Sequence, residues 1–318
     1  MMPMVSRRER VEAALRGDEL DRPPFCFWHH FRPAGSARAL AEATVEFFSR
    51  YDLDIYKIMP DLPYPFPRQS IQSAHDWHLL APLATDAGNF GRMIDTVRRV
   101  RRAVGPEVPV VTTVFSPLAE ALRFAGAERL RQHIRDDPVG VHGALGVIAD
   151  NLTRLGRASL ESGSDGLYFA VQGCGDGILS APQYAEFGRP YDLLVLNACR
   201  EGWLTILHVH GERDVLIDEV LAYPVAAISW SDRLTGIPLE RVWAAAPARA
   251  VMGGLNERGA IVGGPAEDIV AEMRDALQQT HGRRLILAPG CSVPDDCPDQ
   301  WLRAARKAVD ALTSETQD

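Results

Sequence analysis

The sequence predicts a single-domain α/β fold, a (β/α)8 barrel of the TIM type that spans residues 1–318. Short apolar runs typical of buried parallel strands alternate with longer amphipathic segments typical of helices. Eight such runs occur, which is the number of strands that closes this barrel. No GxGxxG motif follows the first run, so the sequence does not favour an open dinucleotide-binding sheet.

Each predicted strand is a run of six or seven residues that is mostly apolar. Such runs are expected where both faces of a parallel sheet are covered. The eight predicted strands are residues 23–29, 53–59, 109–115, 166–171, 204–210, 225–230, 249–255 and 284–289.

The predicted helices lie mostly between these strands and show an apolar face at helical spacing. A helix over about 5–17 comes before the first strand, and residues 313–318 are expected to form a frayed tail. The long, proline-rich stretch from Asp61 to Thr96 is expected to hold a lid or a small extra element. The other predicted helices are residues 39–51, 119–134, 180–202, 266–282 and 298–313.

Composition excludes several classes of protein. Hydrophobic residues make up 46% and charged residues 24% of the chain, as in an ordinary soluble enzyme rather than a disordered chain. A net charge of −8 argues against a protein whose main function is to bind the phosphate backbone of nucleic acids. There is no apolar run long enough to span a membrane, and the five cysteines have irregular spacing. We therefore expect a cytoplasmic enzyme with reduced thiols, bound neither to membrane nor to nucleic acid.

Polar side chains cluster at the carboxyl end of nearly every predicted strand, where barrel enzymes place their active sites. Such a cluster predicts a site for a small-molecule substrate at that end of the barrel. Its candidate residues are His29, His30, Arg32, Asp61, Ser116, Gln172, His208, His210, Glu212, Asp232, Asn256 and Cys291.

The pattern His208-x-His210 predicts two imidazoles that face the same space, because alternate residues of a strand point to one side. Such a pair is a common start of a zinc site, and Cys291 is the best candidate for a third ligand. Glu212 is a possible further ligand or a carboxylate that orients an imidazole. The alternative is a pair of histidines that only form hydrogen bonds.

His29 and His30 are adjacent in a strand, so only one of them should face the cavity, and we favour His30. Its imidazole titrates near neutral pH and could act as an acid or a base. Asp61 lies among prolines and is a candidate acceptor for substrate N–H or O–H groups. The alternatives are a packed histidine and a turn-forming aspartate.

Four segments together resemble the uroporphyrinogen decarboxylase superfamily over residues 6–312. They are SRRERVEAALRGDELDRPP, QGCGDGILSAPQYAEFGRPYDLLVL, GGLNERGAIVGGPAEDIVAEM and LAPGCSVPDDCPDQWLRAARKAV. The resemblance implies a TIM-type barrel and a homodimer. The superfamily contains metal-free decarboxylases of haem synthesis. It also contains zinc methyltransferases that move methyl groups between a corrinoid protein and a small acceptor.

The decarboxylases of this superfamily carry an R-x-A-G-R motif after the first strand. Arg32 matches its first arginine, Ser36 replaces the second, and Arg38 lies close by. Asp61 matches the aspartate that holds pyrrole N–H groups. Where this chain has Cys291, the decarboxylases have a histidine.

The methyltransferases carry an H-x-C motif after the fifth strand and a cysteine after the eighth. His208 and Cys291 match two of these positions, and His210 replaces the third ligand with another that binds zinc. The resemblance therefore implies a zinc-dependent methyltransferase or demethylase, with the corrinoid carried by a separate protein.

Asp61 and His30 would be its catalytic residues. Substrate-binding roles are predicted for Arg32, Ser116, Gln172, Asp232 and Asn256. The alternatives are a metal-free uroporphyrinogen decarboxylase and a ligand-binding barrel without catalysis.

Overall fold

A computed structural model describes residues 5–32, 35–65, 70–86 and 88–314. Its centre is one parallel sheet in which each strand pairs with the next strand along the chain, in the order β1 to β7. The strands coincide with seven of the predicted apolar runs. They are β1 (Tyr56–Ile58), β2 (Val110–Phe115), β3 (Gly166–Val171), β4 (Ile206–Val209), β5 (Ala227–Trp230), β6 (Ala250–Leu255) and β7 (Leu285–Pro289).

α-Helices lie between successive strands, as in the right-handed crossovers of a parallel sheet, except between β4 and β5, where the structure has a 3-10 helix over Ile217–Glu219. No helix within the described residues combines the length and the hydropathy that crossing a bilayer requires. The helices are α1 (Arg7–Arg16), α2 (Ala37–Arg50), α3 (Gly88–Val104), α4 (Pro117–Ala125), α5 (Ala127–Asp136), α6 (Pro138–Glu161), α7 (Ala181–Phe187), α8 (Arg189–Ala198), α9 (Asp232–Thr235), α10 (Leu239–Ala245), α11 (Ala260–Gly263), α12 (Ala266–Thr280) and α13 (Asp299–Ser314).

The first predicted strand, residues 23–29, is not a strand of this sheet. It forms one parallel bridge, between Phe25 and Leu287 of β7. On its other side the Phe25 carbonyl accepts a hydrogen bond from the Asp54 N–H at 2.9 Å. The Phe25 N–H donates to the Asp54 carboxylate at 2.8 Å instead of to a backbone carbonyl. Pro23 and Pro24 have no N–H for a ladder, so strand pairing stops here.

Two predicted helices are each split in the structure. Gly126, with φ of 78°, ends α4 and begins α5, because this left-handed backbone breaks the helix. The predicted helix over 180–202 breaks at Gly188, and Pro190 provides no N–H to continue α7 into α8.

The stretch 61–96 was predicted to hold a lid or a small element. It contains a 3-10 helix over Ala74–Leu79 and the start of α3. Residues 66–69 and 87 of this stretch, and 315–318 of the predicted frayed tail, lie outside the described residues.

Candidate functional site

A cavity of about 720 Å³ opens at the carboxyl ends of β1 to β4 and β7. The loop after each of these strands carries side chains into it, as expected for a parallel α/β fold. Several residues predicted from the sequence line the same space. They are His30, Arg32, Asp61, Gln172, His208, His210 and Cys291.

His208 lies in β4 and His210 lies just after it, so both imidazoles face the cavity. Their ring centroids are 6.0 Å apart. His208 stacks on the Tyr168 ring with centroids 5.4 Å apart, and its Nδ1 lies 3.4 Å from Ser229 Oγ. Burial, followed by the charges of His210 and Lys57, holds the pKa of His208 well below its ordinary value. His208 is therefore a neutral imidazole, the form that binds a metal ion.

Cys291 follows β7 by two residues and lines the same cavity. Its Sγ lies 4.0 Å from Ser292 Oγ, and burial raises the pKa of its thiol. Within the described ranges, no group of three or more His, Cys, Asp or Glu side chains has the geometry of a metal site. The structure thus brings Cys291 and the two histidines to one cavity without assembling them as a ligand set.

His30 and Asp61 form a hydrogen-bonded pair at the mouth of the cavity. His30 Nδ1 lies 2.6 Å from Asp61 Oδ1, and the Phe31 N–H donates to Asp61 Oδ2 at 2.7 Å. Burial acts to raise the pKa of Asp61, but the hydrogen bonds from His30 and Phe31 outweigh it and hold this pKa below its ordinary value. Asp61 is therefore ionised near neutral pH and orients the imidazole of His30.

His29 does not line this cavity. Its ring packs edge-on against Phe31 and Phe47, with centroids 4.7 Å and 4.5 Å away. Burial lowers the pKa of His29. The two adjacent histidines thus face different surroundings, and His30 is the one that lines the main cavity.

Four residues predicted for the site lie outside the cavity lining and have other partners. Ser116 caps α4, because its Oγ accepts the Ala119 N–H at 3.1 Å. Asp232 accepts the Gly254 N–H at 3.1 Å, and burial raises its pKa to about 7.

Asn256 Oδ1 accepts the Arg258 N–H at 2.9 Å. Glu212 forms an ion pair with the Arg258 side chain, on the surface. None of these four side chains lines the cavity.

Three further buried polar side chains line the cavity and were not predicted. They are Lys57 of β1, Thr113 of β2 and Tyr168 of β3, all at most 5% exposed. The sequence-based prediction covered polar residues at and just after the carboxyl ends of the strands, and these three lie further inside the apolar runs. The signal that could have found Lys57 is its place in the middle of such a run.

Known proteins similar to this chain include two kinds of enzyme. A methylcobamide:CoM methyltransferase (MtbA) of Methanosarcina mazei is 21% identical over 237 residues, which are 74% of this chain and 68% of that protein. A uroporphyrinogen decarboxylase of Tolumonas auensis is 29% identical over 130 residues, which are 39% of this chain and 36% of that protein.

A solved structure of a methyltransferase from Methanosarcina mazei has the same fold. It superposes with a TM-score of 0.81 over 97% of this chain and 99% of that chain, at 16% sequence identity. The family model described as uroporphyrinogen decarboxylase (URO-D) matches residues 56–312. Because this match spans most of the sequence, the chain belongs to the uroporphyrinogen decarboxylase (URO-D) family.

Proposed function

We propose that this chain is a methyltransferase that moves a methyl group between a small substrate in the cavity and a corrinoid protein or another acceptor. The observation that carries this proposal is the convergence of His208, His210 and Cys291 on one cavity. The similarity to a methylcobamide:CoM methyltransferase over 74% of the chain supports it.

We propose zinc as the metal, held by His208, His210 and Cys291. Two imidazoles that bind one tetrahedral zinc ion have ring centroids about 5 Å apart, given zinc–nitrogen distances of about 2.1 Å. The observed separation of 6.0 Å is close to that value, so the histidine pair fits. The Cys291 side chain would have to move closer to complete the set. When bound, zinc would lower the pKa of a thiol acceptor or polarise a substrate oxygen.

The pair of Asp61 and His30 would bind the substrate and move a proton. With Nδ1–H donating to Asp61, the Nε2 atom of His30 is the atom that can accept or donate a proton. Arg32 and Gln172 line the same cavity and would contact polar groups of the substrate.

Metal analysis of the chain purified without a chelating tag tests the zinc proposal. We expect about one zinc per chain, lost on substitution of His208 or Cys291 by Ala. A zinc content below about a tenth of the molecules, even after zinc is added, would contradict the ligand assignment.

Demethylation of methylcobalamin, followed by its absorbance, tests the reaction itself. We expect turnover with a thiol or another small acceptor, and much slower turnover by His208→Ala. A loss of turnover in a His208→Ala variant that is still folded distinguishes an enzyme from a ligand-binding barrel.

Decarboxylation of a uroporphyrinogen is the second candidate, favoured by the ionised Asp61 and the adjacent Arg32 in the cavity. A porphyrinogen with eight carboxylates needs several cations, however. Of the described basic residues in the lining, Arg123 is already paired with Glu120. Metal-free conversion of uroporphyrinogen to products with fewer carboxylates would establish this candidate instead.

We also infer that residues 24–28 take the place of the eighth barrel strand. This segment bonds to β7 on one side and to Asp54, just before β1, on the other. The closed (β/α)8 barrel, the homodimer and the corrinoid-carrying partner remain predictions.

A further inference from the structure

Lys57 is a buried cation inside the cavity. It is 3% exposed, and its Nζ lies 4.3 Å from the Tyr168 ring centroid and 5.1 Å from that of Trp28. Among the described residues, its ammonium group donates a hydrogen bond only to a weak acceptor, the Met59 Sδ at 3.0 Å. No carboxylate among the described residues forms an ion pair with it. The two aromatic faces favour a positive charge at this point without neutralising it.

Two buried hydroxyls beside Lys57 also lack partners. Tyr168 Oη and Thr113 Oγ1 are buried, and neither has a hydrogen-bond partner of ordinary geometry among the described residues, although the Ser229 hydroxyl is near enough to Tyr168 to act to lower its pKa. The two residues face each other across the β2–β3 ladder, and both line the cavity. Three consecutive strands thus each contribute one unsatisfied polar group to the same wall of the cavity.

The chain keeps this lysine at a cost in stability. A buried amine without a counterion is unfavourable, and burial lowers the pKa of Lys57 to about 7. Only two of the chain's 34 basic residues are lysines, Lys57 and the exposed Lys307, so lysine is rare here. A methionine of similar shape would fill this position more stably, so packing does not explain the amine.

We propose that Lys57, Thr113 and Tyr168 form the binding site for the carboxylate of a small organic acid. An ammonium group and two hydroxyls can all donate to carboxylate oxygens, which would satisfy each of the three groups. Trp28, Met59 and Phe115 line the remaining wall and match an apolar skeleton. This inference names a substrate class for the proposed function. It rests on that function only because it takes the bound acid to be the substrate.

Nuclear magnetic resonance of the full chain labelled with ¹³C at lysine Cε tests the proposal. With two lysines the spectrum has two signals, and Lys307→Arg assigns them. Sodium benzoate should shift the Lys57 signal saturably at constant ionic strength, while neutral benzamide should not. The Lys307 signal should stay unchanged. A Lys57 signal that does not respond to benzoate would overturn the proposal.

Calorimetry of benzoate binding to variants gives a second readout. Lys57→Met should weaken binding about 10- to 100-fold, since it removes a hydrogen bond to a charged group. Thr113→Val and Tyr168→Phe should each weaken it about three- to tenfold, and Lys307→Met less than about twofold. We expect Lys57→Met to be at least as stable as the wild type, because it removes a buried amine.

Equal binding of benzoate by wild type and Lys57→Met would contradict the site. Tighter binding of benzenesulfonate or phenyl phosphate than of benzoate would overturn the assignment to a carboxylate. Both measurements need no turnover, so a failure of methyl transfer would leave a positive binding result intact.

Discussion

The clearest single contact in the cavity is the hydrogen bond between His30 and Asp61. The two residues come from different loops, and the 2.6 Å contact fixes which imidazole nitrogen faces the carboxylate. The Phe31 N–H holds the second oxygen of Asp61, so the carboxylate cannot turn away. In the proposed reaction, Asp61 would act by orienting His30, which leaves Nε2 as the nitrogen available to a substrate.

Asp61→Asn should reduce turnover about 100-fold, because the amide no longer provides two acceptor oxygens for His30 and Phe31. The measurement is kcat in the methylcobalamin assay, with far-UV circular dichroism to confirm that the variant is folded. Asp295→Asn is the matched control, since Asp295 accepts the His30 backbone N–H at 3.0 Å, lies 3.7 Å from His29 Nδ1 and does not line the main cavity. Equal effects of the two substitutions would show that Asp61 has no special role.

At the scale of elements, Asp54 connects three parts of the fold. Its carboxylate is fully buried and accepts hydrogen bonds from Arg10 of α1 at 2.9 Å and from Arg22 at 2.5 Å. It also accepts the Phe25 N–H, which joins the segment 24–28 to the region before β1. These bonds replace the ladder that an eighth strand would have made.

Asp54→Ala should lower the free energy of unfolding by about 3 to 5 kcal/mol, because it removes the fully buried anion between two buried guanidinium groups. Each arginine then keeps only a more exposed carboxylate, Asp21 for Arg10 and Asp310 for Arg22. Urea denaturation followed by fluorescence measures the change. Asp95→Ala breaks an exposed pair with Arg99 on one helix and should cost less than about 0.5 kcal/mol. A loss at Asp54 as small as this would mean that the segment 24–28 is held mainly by apolar packing.

At the scale of the whole molecule, three buried carboxyl groups among the described residues have a raised pKa. Burial raises the pKa of Glu120, Asp192 and Asp232 to about 7 in each case. Asp192 Oδ2 accepts hydrogen bonds from Tyr184 at 2.7 Å and from Tyr223 at 3.0 Å, which oppose the shift without cancelling it. Between the ordinary pKa of Asp, 3.8, and about 7, the folded chain binds a proton that the unfolded chain has lost.

Stability from Asp192 should therefore be greatest at acid pH and decline as the pH rises from about 4 to about 7, then stay level. Asp192→Asn keeps an acceptor for both tyrosines and removes the titration. Relative to this variant, the wild type should lose about 2 to 4 kcal/mol of unfolding free energy between pH 5 and pH 8. Denaturation at several pH values checks this, and parallel pH profiles for the two proteins would contradict it.

Much of the architecture could be predicted because its cause is local. The apolar runs over 166–171 and 284–289 became β3 and β7, since a buried parallel strand needs apolar side chains on both faces. The same reading located His208, His210 and Cys291 at strand ends that meet at one cavity. It failed at residues 23–29, where the Asp54 side chain takes the backbone hydrogen bond of Phe25.

Which polar side chains face the cavity depended on tertiary structure. Ser116 and Asp232 also follow strands, but neighbouring backbone N–H groups bind their oxygens and turn them away. Lys57 lies within an apolar run. The tertiary structure is needed to see that its amine is buried against the Tyr168 and Trp28 rings. Strand positions follow from the spacing of apolar residues along the chain, whereas side-chain partners depend on register and on contacts between segments far apart in sequence.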